Sequence, residues 1–426
     1  MTRAVLLFVL TYALMLLFEK YRPWIALASG ALFVVGGMLP VSQIPRTVDV
    51  NVLLMIGGTM GLVQLFIDSR MPDRMAEWLM DRMPNVQWAA VCLSLFAGLI
   101  SAFVDNVATV LMVAPVAVAV CRKLGINPVP FVISIAVSSN LQGAATLVGD
   151  TTAIMLGSAL DMSFADFFWY RGRPSMFFMV ELGAAFSAVI VFFLFRKEKQ
   201  PIAHGGERTQ VTDYVPTALL LGTVFLLICA SFAPESWNLP GETNGIICCT
   251  MLLLGLGLNL RKKRKLDAVL QPLRAIDFQT LLLLLGLFLM IGGITHEGVI
   301  DALAQQLVGL GGGNLFLMYS MIVWGSVIIS AFIDNIPYVA TMIPVIAGIA
   351  DEMGVDSTAL YFGLLSGATL GGNCTPIGAS ANIAGIGILR RENYRVENRD
   401  FFRIGIPFTL AAIVPAYILI WLLFGR

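Results

Sequence analysis

Twelve long apolar runs, separated by few charges, are the feature that most narrows what this chain can fold into. They lie near residues 4–18, 24–40, 50–67, 88–121, 129–160, 175–195, 214–232, 244–260, 279–294, 316–347, 358–388 and 402–425. A helix of about 20 residues crosses the roughly 30 Å core of a bilayer. Only 13% of the 426 residues are charged and 58% are hydrophobic. A soluble chain carries about 25% charged and 45–50% apolar residues. A surface so poor in charge fits a soluble enzyme, a nucleic-acid binder or a disordered scaffold badly. The chain therefore reads as an all-α polytopic membrane protein.

Net charge is zero, 27 basic against 27 acidic residues, so no global field recruits an anionic macromolecule. The six cysteines (Cys92, Cys121, Cys229, Cys248, Cys249 and Cys374) have neither zinc nor redox spacing and read as small buried hydrophobes. His204 and His296 are too few for a metal cluster, and His204 falls in a polar loop. The first run follows Arg3 as a signal peptide would. However, Phe18-Glu19-Lys20-Tyr21-Arg22 supplies no small-residue cleavage site, and the run is read as a membrane helix.

Three features depart from simple spans. The 88–121 and 316–347 runs carry an Asp-Asn pair at their centre and read as re-entrant hairpins. The 129–160 and 358–388 runs are interrupted by polar, glycine-containing segments and read as broken helices, which survive at membrane depth only against protein or a wet cavity. The segment 68–84 is amphipathic and reads either as a helix lying along the inner interface or as a merely solvated, charged helix end. Basic clusters set the orientation. Placing Arg122-Lys123, Arg196-Lys197-Glu198-Lys199, Arg261–Lys265 and Arg390-Arg391 in the cytoplasm requires ten full spans, two hairpins and both termini outside. The expected organisation is a first half over 1–195, a cytoplasmic linker over 196–213 and a second half over 214–426.

The halves repeat each other. Ser101-Ala102-Phe103-Val104-Asp105-Asn106-Val107 returns as Ser330-Ala331-Phe332-Ile333-Asp334-Asn335-Ile336, an offset of 330 − 101 = 229. Pro115 and Pro344, Gly143…Thr146…Gly149 and Gly372…Thr375…Gly378, and Gly57 and Gly286 share that offset. Under the topology above the copies are inverted, and inverted repeats with broken helices are the architecture of secondary transporters. An isolated carboxylate at membrane depth costs several kcal/mol unless it is protonated, paired or ion-bound. Asp105 and Asp334 are thus candidate proton or cation sites; the alternative is that each only caps a hairpin tip. Asn106 and Asn335 supply neutral oxygens beside them. Thr146, Asp150, Thr151 and Thr152 of the first broken helix are expected to face the same cavity, as are Thr375, Ser380 and Asn382 of the second.

These motifs resemble the ion transporter superfamily, which includes arsenite efflux permeases of the ArsB type, NhaD-type sodium/proton antiporters, the melanosomal P protein and divalent-anion/sodium symporters. The resemblance runs from about Asn51 to the C-terminus. It is strongest to the P-protein and arsenite-permease branch at Ser101–Asn106 and Gly371–Asn382. It implies a scaffold domain, two hairpin-bearing transport domains and a homodimer. It also implies one sodium site framed by Asp105, Asn106 and Gly149, and another framed by Asp334, Asn335 and Gly378. Dicarboxylate symporters carry Ser-Asn-Thr at each hairpin tip, where this chain has Asp105-Asn106-Val107 and Asp334-Asn335-Ile336.

The polar motifs contain no arginine, lysine or histidine, which opposes a bare di- or tricarboxylate. The expectation is a secondary transporter of a small inorganic solute in the inner or plasma membrane, using protons or sodium and no cofactor. Proton-coupled arsenite or antimonite efflux comes first, sodium/proton antiport second and sodium-coupled anion symport third. Cys374, inside the second motif, is not expected to ligate the cargo, since a permanent thiolate would trap it. Membrane lipids are the only other partners the sequence calls for. Cytoplasmic ATPases serve some arsenite permeases, but Arg261–Lys265 is too unspecific to mark a docking site.

Overall fold

The computed structural model describes residues 1–202 and 209–425, so His204, Gly205 and Gly206 of the linker lie outside the described residues. The described chain is almost wholly helical. Its first half contains α1 (Thr2–Leu17), α2 (Arg22–Val35), α3 (Ile44–Thr47), α4 (Val50–Asp68), α5 (Met71–Met80), α6 (Val86–Ser101), α7 (Asn106–Leu124), α8 (Val129–Gly143), α9 (Thr151–Ala159) and α10 (Met176–Leu194). The second half contains α11 (Val215–Ser231), α12 (Thr243–Lys263), α13 (Asp267–Arg274), α14 (Phe278–His296), α15 (Val299–Gly311), α16 (Leu315–Ser330), α17 (Asn335–Met353), α18 (Thr358–Gly371), α19 (Ser380–Arg391) and α20 (Asn398–Phe424). A two-residue antiparallel ribbon pairs Trp169–Tyr170 with Arg173–Pro174.

Helix n of the first half answers helix n + 10 of the second. From α6/α16 to α9/α19 the starting residues are 229 apart: 315 − 86, 335 − 106, 358 − 129 and 380 − 151. The end signals repeat as well. Asn85 accepts from Trp88 N–H at 3.1 Å, and Asn314 accepts from Leu317 N–H at 3.2 Å. Gly125 and Gly354 close α7 and α17 in the left-handed region, at φ 66° and 62°, where a side chain would be strained. Each cap contributes about 1 kcal/mol.

Among the described residues, seven helices are long and apolar enough to cross a membrane, or up to nine if each bent pair counts as one span. Shorter apolar helices lie beside them at Val86–Ser101, Val129–Gly143 and Val215–Ser231. The 129–160 run becomes α8 and α9, and the pairs α1–α2 and α15–α16 bend by 118° and 112°. Amphipathic α5 buries Pro72, Ala76 and Met80, while the Arg82 guanidinium lies 3.6 Å from the ring centre of exposed Trp78.

Two close packings recur, α4 on α12 and α14 on α2. A Cβ at Gly58 would sit 2.7–2.8 Å from the backbone of Cys248 and Cys249, and one at Gly286 would strike the backbone of Ala26 and Leu27. Gly57 is the sequence partner of Gly286, but its neighbour Gly58 makes the equivalent contact. The helices have slipped by one residue, as the starts of α4 and α14 show (278 − 50 = 228).

Candidate ion and solute site

Both hairpin tips are built alike. After α6 the chain turns through Ala102–Val104, and Asp105 caps α7, accepting from Val107 and Ala108 N–H at 3.0 and 3.1 Å. After α16, Asp334 caps α17 and accepts from Ile336 N–H at 3.1 Å. The capping alternative therefore describes one oxygen of each carboxylate; the second oxygen is left for other chemistry.

The broken helices brace these tips. Thr146 donates its hydroxyl to Ala102 O, and Thr375 donates to Ala331 O, the same bond 229 residues on. Gly149 and Gly378 pass close to the turns: a Cβ on either would lie 2.5 or 2.6 Å from the carbonyl oxygen of Gly143 or Gly372. Asn382 donates to Gly372 O and Thr375 O at 2.9 and 3.0 Å. Thr152 donates to Asp150 at 2.8 Å. Thr146, Thr152, Thr375 and Asn382 therefore hold backbone and side chains in place and do not line the cavity between the two tips, contrary to the expectation that they face it.

That cavity, of about 220 Å³, lies among the C-terminal half of α4, the start of α14 and the first turns of four further helices. Its polar lining is Gln64, Asp105, Asn106, Asp150, Thr151, Asp277, Thr280, Asn335 and Ser380. Both halves contribute, so the two motifs build one chamber. Each helix end carries roughly half a positive charge, so the ends of α7, α9, α17, α19 and α14 nearly offset three carboxylates. Asp277, exposed at the mouth, caps α14 through Gln279 and Thr280 N–H at 3.0 and 3.2 Å. Asp150 is 5% exposed and Asp105 is half-buried. Among the described residues, no lysine, arginine or histidine lines the chamber.

Beneath it, an amide chain joins the halves. Asn106 Nδ2 donates to Asn140 Oδ1 at 3.0 Å, and Asn140 Nδ2 donates to Thr369 O at 2.7 Å and Asn373 Oδ1 at 3.0 Å. Asn373 Nδ2 returns to Val137 O at 3.0 Å. Asn140 and Asn373 are fully buried.

Sequence reasoning missed Asp277, Asn140 and Arg22. The signal for Asp277 was its position before an apolar run, mirroring Asp49, which caps α4 by accepting from Val52 N–H at 2.9 Å. Arg22 lies beside Asp334, with Nη1 3.6 Å from Oδ2. Cys374 does not line the chamber. Gly149 and Gly378 form its frame rather than its polar lining.

Helices broken at polar motifs, two matched hairpins and a chamber shared between two repeats define a multi-pass membrane transporter. The chain belongs to the CitMHS citrate transporter family, whose sequence profile matches residues 12–367. It is 30% identical over 433 residues to an uncharacterized transporter of Mycobacterium tuberculosis, covering 98% of each chain. It is 27% identical to the P protein of Homo sapiens, over 89% of this chain and 54% of that one. The YdaH transporter of Alcanivorax borkumensis shares the fold, with a TM-score of 0.61 at 14% identity over 90% of this chain and 87% of that one.

Proposed function

We propose that the protein is a secondary active transporter in which Asp105 and Asp150 exchange protons or sodium and thereby drive a small solute through the shared chamber. The observation that carries this reading is their placement in one cavity that, among the described residues, no cationic side chain lines. Neutralising these acids by protonation or by sodium would alter the relative stability of the inward- and outward-facing states. The chamber lies at the C-terminal end of α4 and the N-terminal end of α14, the side of the Arg261–Lys265 cluster. With that cluster in the cytoplasm, the state described is inward-open.

For the cargo, carboxylates nearly offset by helix ends, with the amides and hydroxyls of Asn106, Asn335, Thr151 and Ser380, suit a small neutral hydroxylated solute such as arsenious acid. Sodium itself, exchanged for protons, is the alternative cargo for the same acids. The family match favours a further reading, citrate, which would need a bound cation to neutralise it here.

Purified protein in proteoliposomes under an imposed pH gradient tests these readings, with internal pH followed as arsenite, sodium or magnesium citrate is added in separate runs. Proton movement with arsenite alone supports the first reading, and a response to sodium or magnesium citrate alone selects the corresponding alternative. No response to any of the three overturns the coupling role of the acids.

A further inference from the structure

The two hairpins differ in what stands beside their aspartates. Arg22, at the bend between α1 and α2, is held on three sides. Its Nε donates to Met15 O at 3.1 Å, Nη2 lies 3.3 Å from Glu19 Oε1, and Nη1 lies 3.6 Å from Asp334 Oδ2. The Arg22 and Asp334 side chains are 21% and 20% exposed. The same bend covers the start of α17, where Tyr12 donates to Pro337 O at 2.8 Å. Ala108, the residue 229 positions before Pro337, instead lines the open chamber. The helix answering α2, α12, begins with Thr243 after Glu242, so its start brings no cation. The charged groups facing Asp334 are Arg22, with Glu19 beyond it, and Asp150 on α9.

We infer that Arg22 is a resident counter-cation at the second hairpin, occupying at Asp334 the place that a proton or sodium takes at Asp105. The protein then has one exchangeable hairpin site instead of a matched pair, and Asp334 is a positioning residue fixed by its guanidinium. This rests on the coupling role proposed above for the chamber acids. A buried charge left without its partner is strongly unfavourable, whereas removing both charges together is far better tolerated.

The test uses full-length protein in proteoliposomes, with gradient-driven proton flux measured across pH for whichever of arsenite, sodium or magnesium citrate moves protons in the wild type. Asp334→Asn alone should lower flux by about tenfold, and adding Arg22→Gln should restore at least about half of the wild-type flux. Arg22→Gln alone frees a further titrating carboxylate, so the steepness of the pH dependence should rise by about one proton over the wild type. Arg22→Lys keeps the charge and should keep the wild-type steepness, which a purely structural role for the pair would not separate from Arg22→Gln. A double variant as inactive as Asp334→Asn, or an Arg22→Gln variant with unchanged steepness, overturns the inference. If Arg22→Gln alone does not yield monodisperse protein, the comparison of Asp334→Asn with the double variant decides. Asp105→Asn in the same vesicles judges the parent reading separately: full flux there removes the chamber acid from coupling, whatever the Arg22 pair does.

Discussion

The two hairpins have the same cap, the same threonine brace and the same glycine crossing, and both tips reach the chamber, yet Asp105 lines it while Asp334 is covered. At the first tip Asp105 faces Asp150 and Gln64 across a cavity. At the second tip Asp334 faces Arg22 and lies under the α1–α2 bend. The residue corresponding to Asp150 is Ala379 (150 + 229), so the second broken helix lacks its own acid. The repeat thus has two equal frames whose aspartates have different charged neighbours. Shared geometry between repeats does not imply shared charge.

The largest expected effect separates the two tips directly. Asp105→Asn retains a good capping residue and removes titration. It should cut gradient-driven flux by about a hundredfold while leaving the thermal unfolding midpoint almost unchanged. Flux equal to wild type would put the two tips on the same footing. Asp150→Asn should lower flux by about tenfold and move its pH profile. Ala379→Asp, which offers the second half the missing acid, should not restore flux in that background. Restoration would make the two broken helices interchangeable.

The frames, by contrast, should respond alike. Gly149→Ala and Gly378→Ala each push a methyl group against a carbonyl oxygen, and each should cost about 1–3 kcal/mol of stability, read as comparable drops in unfolding midpoint. A large drop in one half alone would show that the second frame has drifted.

The smallest effect lies outside the membrane, between the halves. Partial burial raises the Asp213 carboxyl, but the Val215 N–H bond at 3.0 Å and the Lys262 ammonium at 3.0 Å outweigh it and hold the pKa below its ordinary value. A depressed folded-state value stabilises the protein above the ordinary carboxylate pKa, about 3.9, and that stability is lost as pH falls through the folded-state value. Because Lys262 is exposed and Asp213 only partly buried, Asp213→Asn should cost less than about 1 kcal/mol at neutral pH. The difference in unfolding midpoint should vanish in acid, and a difference that persists there would rule out the ion pair as its source.

Much of this was legible in the sequence because it is local or periodic. Apolar runs mark the helices, and the 229-residue offset marks the positions of both tips, both braces and both crossings. The one-residue slip at Gly58 was not legible, since offsets record descent and contacts record packing. Thr146, Thr375 and Asn382 were recognised as motif members, but their hydroxyls and amides turn toward backbone carbonyls, an orientation set by the turns they close. Arg22 was invisible because it meets Asp334 across 312 positions (334 − 22). Asn140 is one polar residue in an apolar run, and only the fold sets Asn373 opposite it.

The Asn140–Asn373 clasp bears on how such a molecule can move. Each amide satisfies its partner half in a fully buried interior, so pulling one tip away from the other would strand several donors and acceptors at once. The two tips are thereby geared together like the halves of a single rotor. The surfaces left to slide are those on α4 and α14, where the chamber already separates the parts.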